Sequence, residues 1–134
     1  MSARVAVLRT NPETVVADYG RLMRLCDYPA VLPRDGELLL KLNLSWTKYF
    51  PACSTQPWQL DGVVRALLED GYQPERIHPV ENKTVVTNPR KGVVANKWGP
   101  ILDRHGLPFI PLPEVEWITY RFKSPLLKLN QIFP

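Results

Sequence analysis

Several absences narrow the chemistry first. The sequence has no G-x-x-x-x-G-K-[ST], no G-x-G-x-x-G and no G-x-S-x-G, which removes the usual support for a phosphate-cradling loop or a serine-hydrolase elbow. It has no H-E-x-x-H. Its two cysteines, Cys26 and Cys53, stand far apart, so neither a metal cluster nor a disulfide framework is written into the spacing. No run approaches the ~18 apolar residues of a membrane span, and MSARVAVLRT lacks the apolar stretch of a signal peptide. A reducing, cytoplasmic setting is therefore expected, with no membrane partner. The Asn-x-Ser/Thr triplets at Asn43 and Asn82 are then read as coincidental.

Proline, by contrast, is abundant: 14 in 134 residues is about twice the ordinary ~5%. Most of these prolines fall between periodic segments, as stiff connections should. With 45% apolar and 22% charged residues the composition is that of a folded domain rather than a disordered chain. The net charge of +4 is uneven. Residues 1–82 hold nine Lys/Arg against ten Asp/Glu, and residues 83–134 hold eight against three. A basic second part points toward an anionic ligand or partner.

The apolar periods alternate between two kinds. Ala3 to Leu8 (ARVAVL) reads as a short buried parallel strand. Asn11, Pro12 and Glu13 open a helix whose apolar stripe is Val15, Val16, Tyr19, Leu22, Met23 and Cys26, which makes Cys26 a small core residue. Glu37 to Asn43 (ELLLKLN) reads as a second strand, with Leu38, Leu40 and Leu42 on one face and Leu39, Lys41 and Asn43 on the other. Pro57 to Asp70 carries the cleanest helical stripe, Leu60, Val63, Val64, Leu67 and Leu68, closed by Gly71. Arg76 to Val80 reads as a third strand, with His78 a core or edge residue, and Leu107 to Leu112 as a fourth whose two prolines suit an edge. Between them Thr84 to Gly92 reads as a polar loop. Trp98, Ile101 and Leu102, with Val94, suggest another helix, with Pro100 at its first turn or kinking it and His105-Gly106 at its end.

This pattern predicts an α/β fold: three layers, about four mostly parallel strands and helices on both faces, in a Rossmann-like arrangement. The domain is expected to occupy residues 1–112. Residues 113–134 lose the period and end on Ile132-Phe133-Pro134, so they are expected to be an irregular tail, the start of a missing remainder on which it packs.

Polar side chains gather where the second strand ends and the next helix begins. In an open α/β sheet that carboxyl edge is where ligands bind. Lys41 is the expected charge partner of an anionic small molecule or cofactor, Asn43 a hydrogen-bond donor, and Ser54 or Thr55 the cap of a helix whose N-terminus cradles the anion. Glu81 and Asn82 join them from the third strand's tip. One carboxylate beside one lysine is not a mechanism, so no reaction follows. The connection Leu44 to Gln56 exceeds the ~2–6 residues usual for a βα loop and holds Trp46, Lys48, Tyr49 and Phe50. Those aromatics with the basic second part give an alternative, a non-enzymatic module contacting protein or nucleic acid.

Taken together, L-L-L-K-L-N-L, a loop ending in S-T-Q-P, and V-V-R-A-L-L-E-D-G-Y resemble the N-terminal part of the family called domain of unknown function 362. Lys41 and Asn43 match its strand-end pair, Thr55 and Pro57 its helix opening, and G-L-P-F-I-P-L its fourth strand, over roughly residues 3–112. The chain departs from the family at Leu42, where proline is usual, and at Glu81-Asn82-Lys83, where an Asp- and Gly-rich tip is usual. Many members carry ferredoxin-like iron–sulfur modules. The resemblance thus implies a redox-linked enzyme part with any cluster held elsewhere in a longer protein.

Overall fold

The structure is a computed structural model and describes residues 5–122 together with 131–132. Helix α1 (Val15–Leu25) begins later than the expected start at Asn11-Pro12-Glu13: Thr14 flanks it without a side-chain cap, and Asn11 Oδ1 instead closes the turn before it, accepting the N–H groups of Glu13 and Thr14 at 3.1 and 3.0 Å. Strand β1 (Leu38–Lys41) leads through a long loop into α2 (Pro57–Glu69). Strand β2 (Ile77–Glu81) follows, then two short helices, α3 (Pro89–Ala95) and α4 (Gly99–Arg104), and β3 (Ile110–Pro111). The strands form one parallel sheet in the order β1-β2-β3. A separate antiparallel pair joins β4 (Tyr120–Arg121) to β5 (Gln131–Ile132). Of the tail expected from residue 113, residues 123–130 and 133–134 lie outside the described residues.

The helix ends show why these segments stop where they do. Gly71 at φ +90° lets Tyr72 N–H reach the Leu67 carbonyl and Gly71 N–H the Leu68 carbonyl, which occupies two of the four orphan carbonyls. Gly106 at φ +67° does the same for α4, through Leu107 to Leu102 and Gly106 to Asp103. The expected polar loop 84–92 is helical from Pro89 onward because Asn88 Oδ1 accepts Lys91 N–H at 3.0 Å, a cap that starts α3 early. Lys97, at φ +58°, separates α3 from α4, and Pro100 lies in the first turn of α4.

Leu60, Val64 and Leu67 of α2 pack with Ile101 and Leu102 of α4 against Leu42, Ile77 and Trp98. At roughly 1.5–3 kcal/mol per fully buried side chain, this cluster is the main apolar driving force. Leu38 and Leu40 border the same core, so α2 and α4 share one face of the sheet. Sequential parallel strands joined by right-handed crossovers place their helices that way. On the opposite face Leu39 is 74% exposed, although Val80 of the central strand is buried. Helix α1 packs on α2 and stands close. A Cβ at Gly62 would lie 2.5 Å from the Val16 carbonyl oxygen, so only glycine permits the approach.

The expected first strand is absent from this sheet. Residues 5–8 make no ladder pair, and Val5 and Val7 are each 88% exposed. β1 is therefore an edge strand among the described residues.

Three carboxylates fasten the helical layer. Asp18 accepts the hydroxyls of Thr14 and Thr10, at 2.6 and 2.8 Å, and an Arg21 N–H at 2.8 Å. Those contacts hold it below its ordinary value of 3.8. Burial raises Asp61, but hydrogen bonds from His105 and Arg65 outweigh it and leave a net lowering. Arg24 first and the Tyr28 hydroxyl second lower Asp70. A depressed folded-state value means the unfolded chain binds more protons in acid. The stabilisation is then complete above pH 3.8 and is lost as pH falls through the folded values. Urea denaturation should accordingly show no loss from these groups between about pH 7 and 5, then a steep fall of the midpoint below about pH 4. A midpoint unchanged at pH 3 would detach them from stability.

Candidate functional site

Register brings the polar tips together. β1 and β2 pair from Leu38↔Ile77 to Lys41↔Val80, so Lys41 and Glu81 emerge side by side at the carboxyl edge. Glu81 is only 4% exposed. Its Oε2 accepts the Leu44 N–H at 2.6 Å and its Oε1 the Asn82 N–H at 2.7 Å. Lys41 Nζ lies 3.0 Å from Oε1 and 3.1 Å from Oε2, and also donates to the Leu42 carbonyl at 3.3 Å. A buried carboxylate must be compensated in this way. Glu81 is thus a clamp on the two strand ends rather than a group free to shuttle protons. Three acceptors therefore lie within 3.3 Å of the ammonium, while the Lys41 side chain stays 59% exposed to water.

Asn43 continues β1 but pairs with its own loop. Its N–H donates to Thr55 Oγ1 at 2.9 Å, and Thr55 N–H donates to its carbonyl at 2.9 Å. Its Nδ2 donates to Ser45 Oγ at 3.0 Å and the Cys53 carbonyl at 3.3 Å. Ser54 Oγ accepts the Ser45 N–H at 3.2 Å. The expected cap is corrected here: the residue flanking α2 is Gln56, and no side chain caps the helix. Pro57 fixes the first helical φ, and the two hydroxyls serve the backbone of the returning loop instead. Asn82 is exposed, with Oδ1 accepting the Lys83 N–H at 2.8 Å. All six expected residues lie at this edge, yet most of their hydrogen-bonding capacity is spent within it.

A second loop, residues 82–88, is laced to the first. Thr47 Oγ1 donates to the Val86 carbonyl at 3.2 Å and accepts the Asn88 N–H at 2.9 Å. Trp98, fully buried, sends its indole N–H to the Thr55 carbonyl at 2.7 Å. Above this base Trp46 and Phe50 meet edge to face at 6.2 Å, and Lys97 stands 5.9 Å over the Tyr49 ring. Residues 42–60 and 82–102 contain no Asp or Glu.

Other polar pairs lie elsewhere. Asp61 and His105 meet at 2.8 Å and join α2 to the end of α4, a contact whose sequence signal was an acid one position off the apolar stripe of α2. A groove of about 560 Å³ is lined by Thr10, Asn11, Pro12, Val15, Val16 and Trp58 at the start of α1. Among the described residues no group of three or more His, Cys, Asp or Glu is placed to hold a metal, and no helix is long and apolar enough to cross a membrane.

No family model, curated protein or solved structure matches the chain. Glu81→Ala should lower unfolding stability by about 2–4 kcal/mol, because the buried Leu44 N–H loses its acceptor and Lys41 its partner. Asn82→Ala should stay within about 0.5 kcal/mol, as an exposed site does. Equal small effects in chemical denaturation would mean that Glu81 clamps nothing.

Proposed function

We propose that the chain is a ligand-binding α/β unit related to the domain of unknown function 362 family. Its ligand is a small molecule or cofactor whose anionic group sits at the carboxyl edge of the sheet. The observation supporting this reading is Lys41, held at the strand tip by Glu81 and the Leu42 carbonyl while its side chain stays 59% exposed, so that an anion can reach the cation. The uncapped start of α2 is brought to the same edge by the Thr55–Asn43 pairing, and free N–H groups at a helix start favour an anion. Asn43, Ser54, Thr55 and Glu81 are then the frame, while Lys41 and Asn82 face the ligand. Cys26 ends α1 and Cys53 sits in the loop after β1, so the two do not fit the four-thiolate requirement of a cluster. An iron–sulfur centre of the kind the resemblance implies would have to be supplied from outside these residues.

Titration calorimetry with inorganic phosphate and with citrate tests the reading. Lys41→Ala should weaken binding at least about tenfold, as loss of a charge-assisted contact does. It should lower Tm by only a few degrees, because the side chain is largely exposed and Glu81 keeps two backbone donors. No anion binding by the unaltered protein, or a large stability loss with unchanged affinity, would make Lys41 structural.

The finer architecture, four strands in a three-layer Rossmann-like sheet, belongs to the same proposal. Leu42 N–H donates inward to the Val80 carbonyl, so strand alternation turns the N–H groups of Leu39 and Lys41 toward the open edge of β1. The segment Ala3 to Leu8, described from residue 5 onward, has the apolar character and exposed valines suited to that edge. Amide exchange at Leu39 and Lys41 should be slow in the whole chain and accelerate when residues 1–8 are removed. Fast exchange in both would leave the sheet at three strands.

A second reading, a non-enzymatic interaction module, rests on different residues: the exposed Trp46, Tyr49 and Phe50 and the lysines around them.

A further inference from the structure

We infer that the outer surface of the two laced loops is a docking site for an acidic polypeptide segment; this rests on the second reading, not on the Lys41 site. The first ground is charge. Lys48, Lys83, Lys91 and Lys97 make no ion pair among the described residues, whereas Arg90 is matched by Glu114 at 2.6 Å. Lys48 and Lys83 stand on the two loops and Lys97 over the Tyr49 ring, on two stretches of sequence that hold no acid, and this excess of positive charge favours a negative partner. The loops are fixed relative to one another by the Thr47 bonds to Val86 and Asn88, so the field is presented on a preformed surface.

The second ground is the apolar surface set among those charges. Trp46 and Phe50 are 49% and 50% exposed, Val86 is comparably so, and Val85 is fully exposed. Aromatic residues at this exposure, together with aliphatic ones, are what protein interfaces bury. The same details weigh against the other anionic polymers. Single-stranded nucleic acid stacks its bases on free ring faces. Here Trp46 and Phe50 are turned edge to face on each other, Tyr49 is tied through its hydroxyl to Gln56 at 3.2 Å with Lys97 over its ring, and the valines give nothing to stack on. An anionic bilayer takes up apolar side chains that project clear of the surface. Of these side chains only Val85 does so, while the rings lie half embedded in the loops. Exposed apolar side chains interleaved with lysines suit a polypeptide carrying alternate carboxylates and aliphatic side chains.

The test uses fluorescence anisotropy on the whole chain with three labelled probes: a dodecapeptide alternating glutamate and leucine, its lysine-for-glutamate analogue, and dodecathymidylate. Sedimentation with phosphatidylcholine–phosphatidylserine vesicles runs alongside. The acidic peptide should bind at least about tenfold tighter than its basic analogue and than the oligonucleotide, and should weaken as salt rises. Lys48→Glu with Lys83→Glu, and separately Val85→Asp, should each weaken it about tenfold or more at unchanged Tm, since none of these side chains makes an internal contact described above. Lys41→Ala should leave peptide binding unchanged, which separates this surface from the anion site. Tighter retention on oligonucleotide or vesicles, indifference to the sign of the peptide, or full binding by the Lys48/Lys83 variant would each overturn the proposal.

Discussion

The carboxyl edge depends on one buried carboxylate. Glu81 ends the central strand with almost no access to water, and two backbone N–H groups and the Lys41 ammonium answer its charge. Burying a carboxylate without such donors would cost far more than one hydrogen bond returns. The chain must therefore bring Leu44 and Lys41 to it, and that fixes how β1 passes into its loop. Once Leu44 is anchored, Asn43 can pair with Thr55, Ser45 with Ser54, and Thr47 with the second loop. Leu44 also fills the space that Gly92 of α3 leaves by lacking a side chain: a Cβ there would fall 2.4 Å from Leu44 Cδ2.

The arrangement above the sheet has a different cause. The strands pair in their order along the chain, so both crossovers bury apolar stripes on one face and leave Leu39 toward solvent on the other. Helix α1 adds to the covered side by packing on α2 through Gly20 and Gly62, and the Arg24–Asp70 and Tyr28–Asp70 bonds hold the pair at its far end. Apolar burial supplies the driving force there, and the carboxylates set the alignment.

Much of this was legible in the residues. The period-two alternation around Lys41 and the 3.6-residue stripe from Leu60 to Leu68 marked β1 and α2 because each buries one face, and burial writes a period into sequence. Both helix-ending glycines were legible for a local reason, the positive φ that their positions require. What escaped was long-range. Nothing local distinguishes ARVAVL from a paired strand, because pairing depends on what lies beside it. Nor does Ser54-Thr55 before Pro57 reveal whether its hydroxyls cap the helix or tie the loop, since both uses need the same side chain in the same place. Asp61 with His105 is likewise a contact between residues 44 positions apart.

The six residues picked for ligand chemistry divide by where their hydrogen bonds go. A frame residue and a ligand residue have the same chemical types, so only the count of satisfied donors and acceptors separates them. By that count Glu81, Asn43, Ser54 and Thr55 are occupied with one another and with backbone, while Lys41, though paired with Glu81, keeps its side chain largely exposed. The remaining unspent capacity lies further out, on lysines that make no ion pair among the described residues and on rings half open to water. An edge built this way has its strand tips tied by internal hydrogen bonds and its loop side chains exposed. Recognition can then vary with the loops while the strand tips stay fixed, which is how α/β scaffolds separate stability from function.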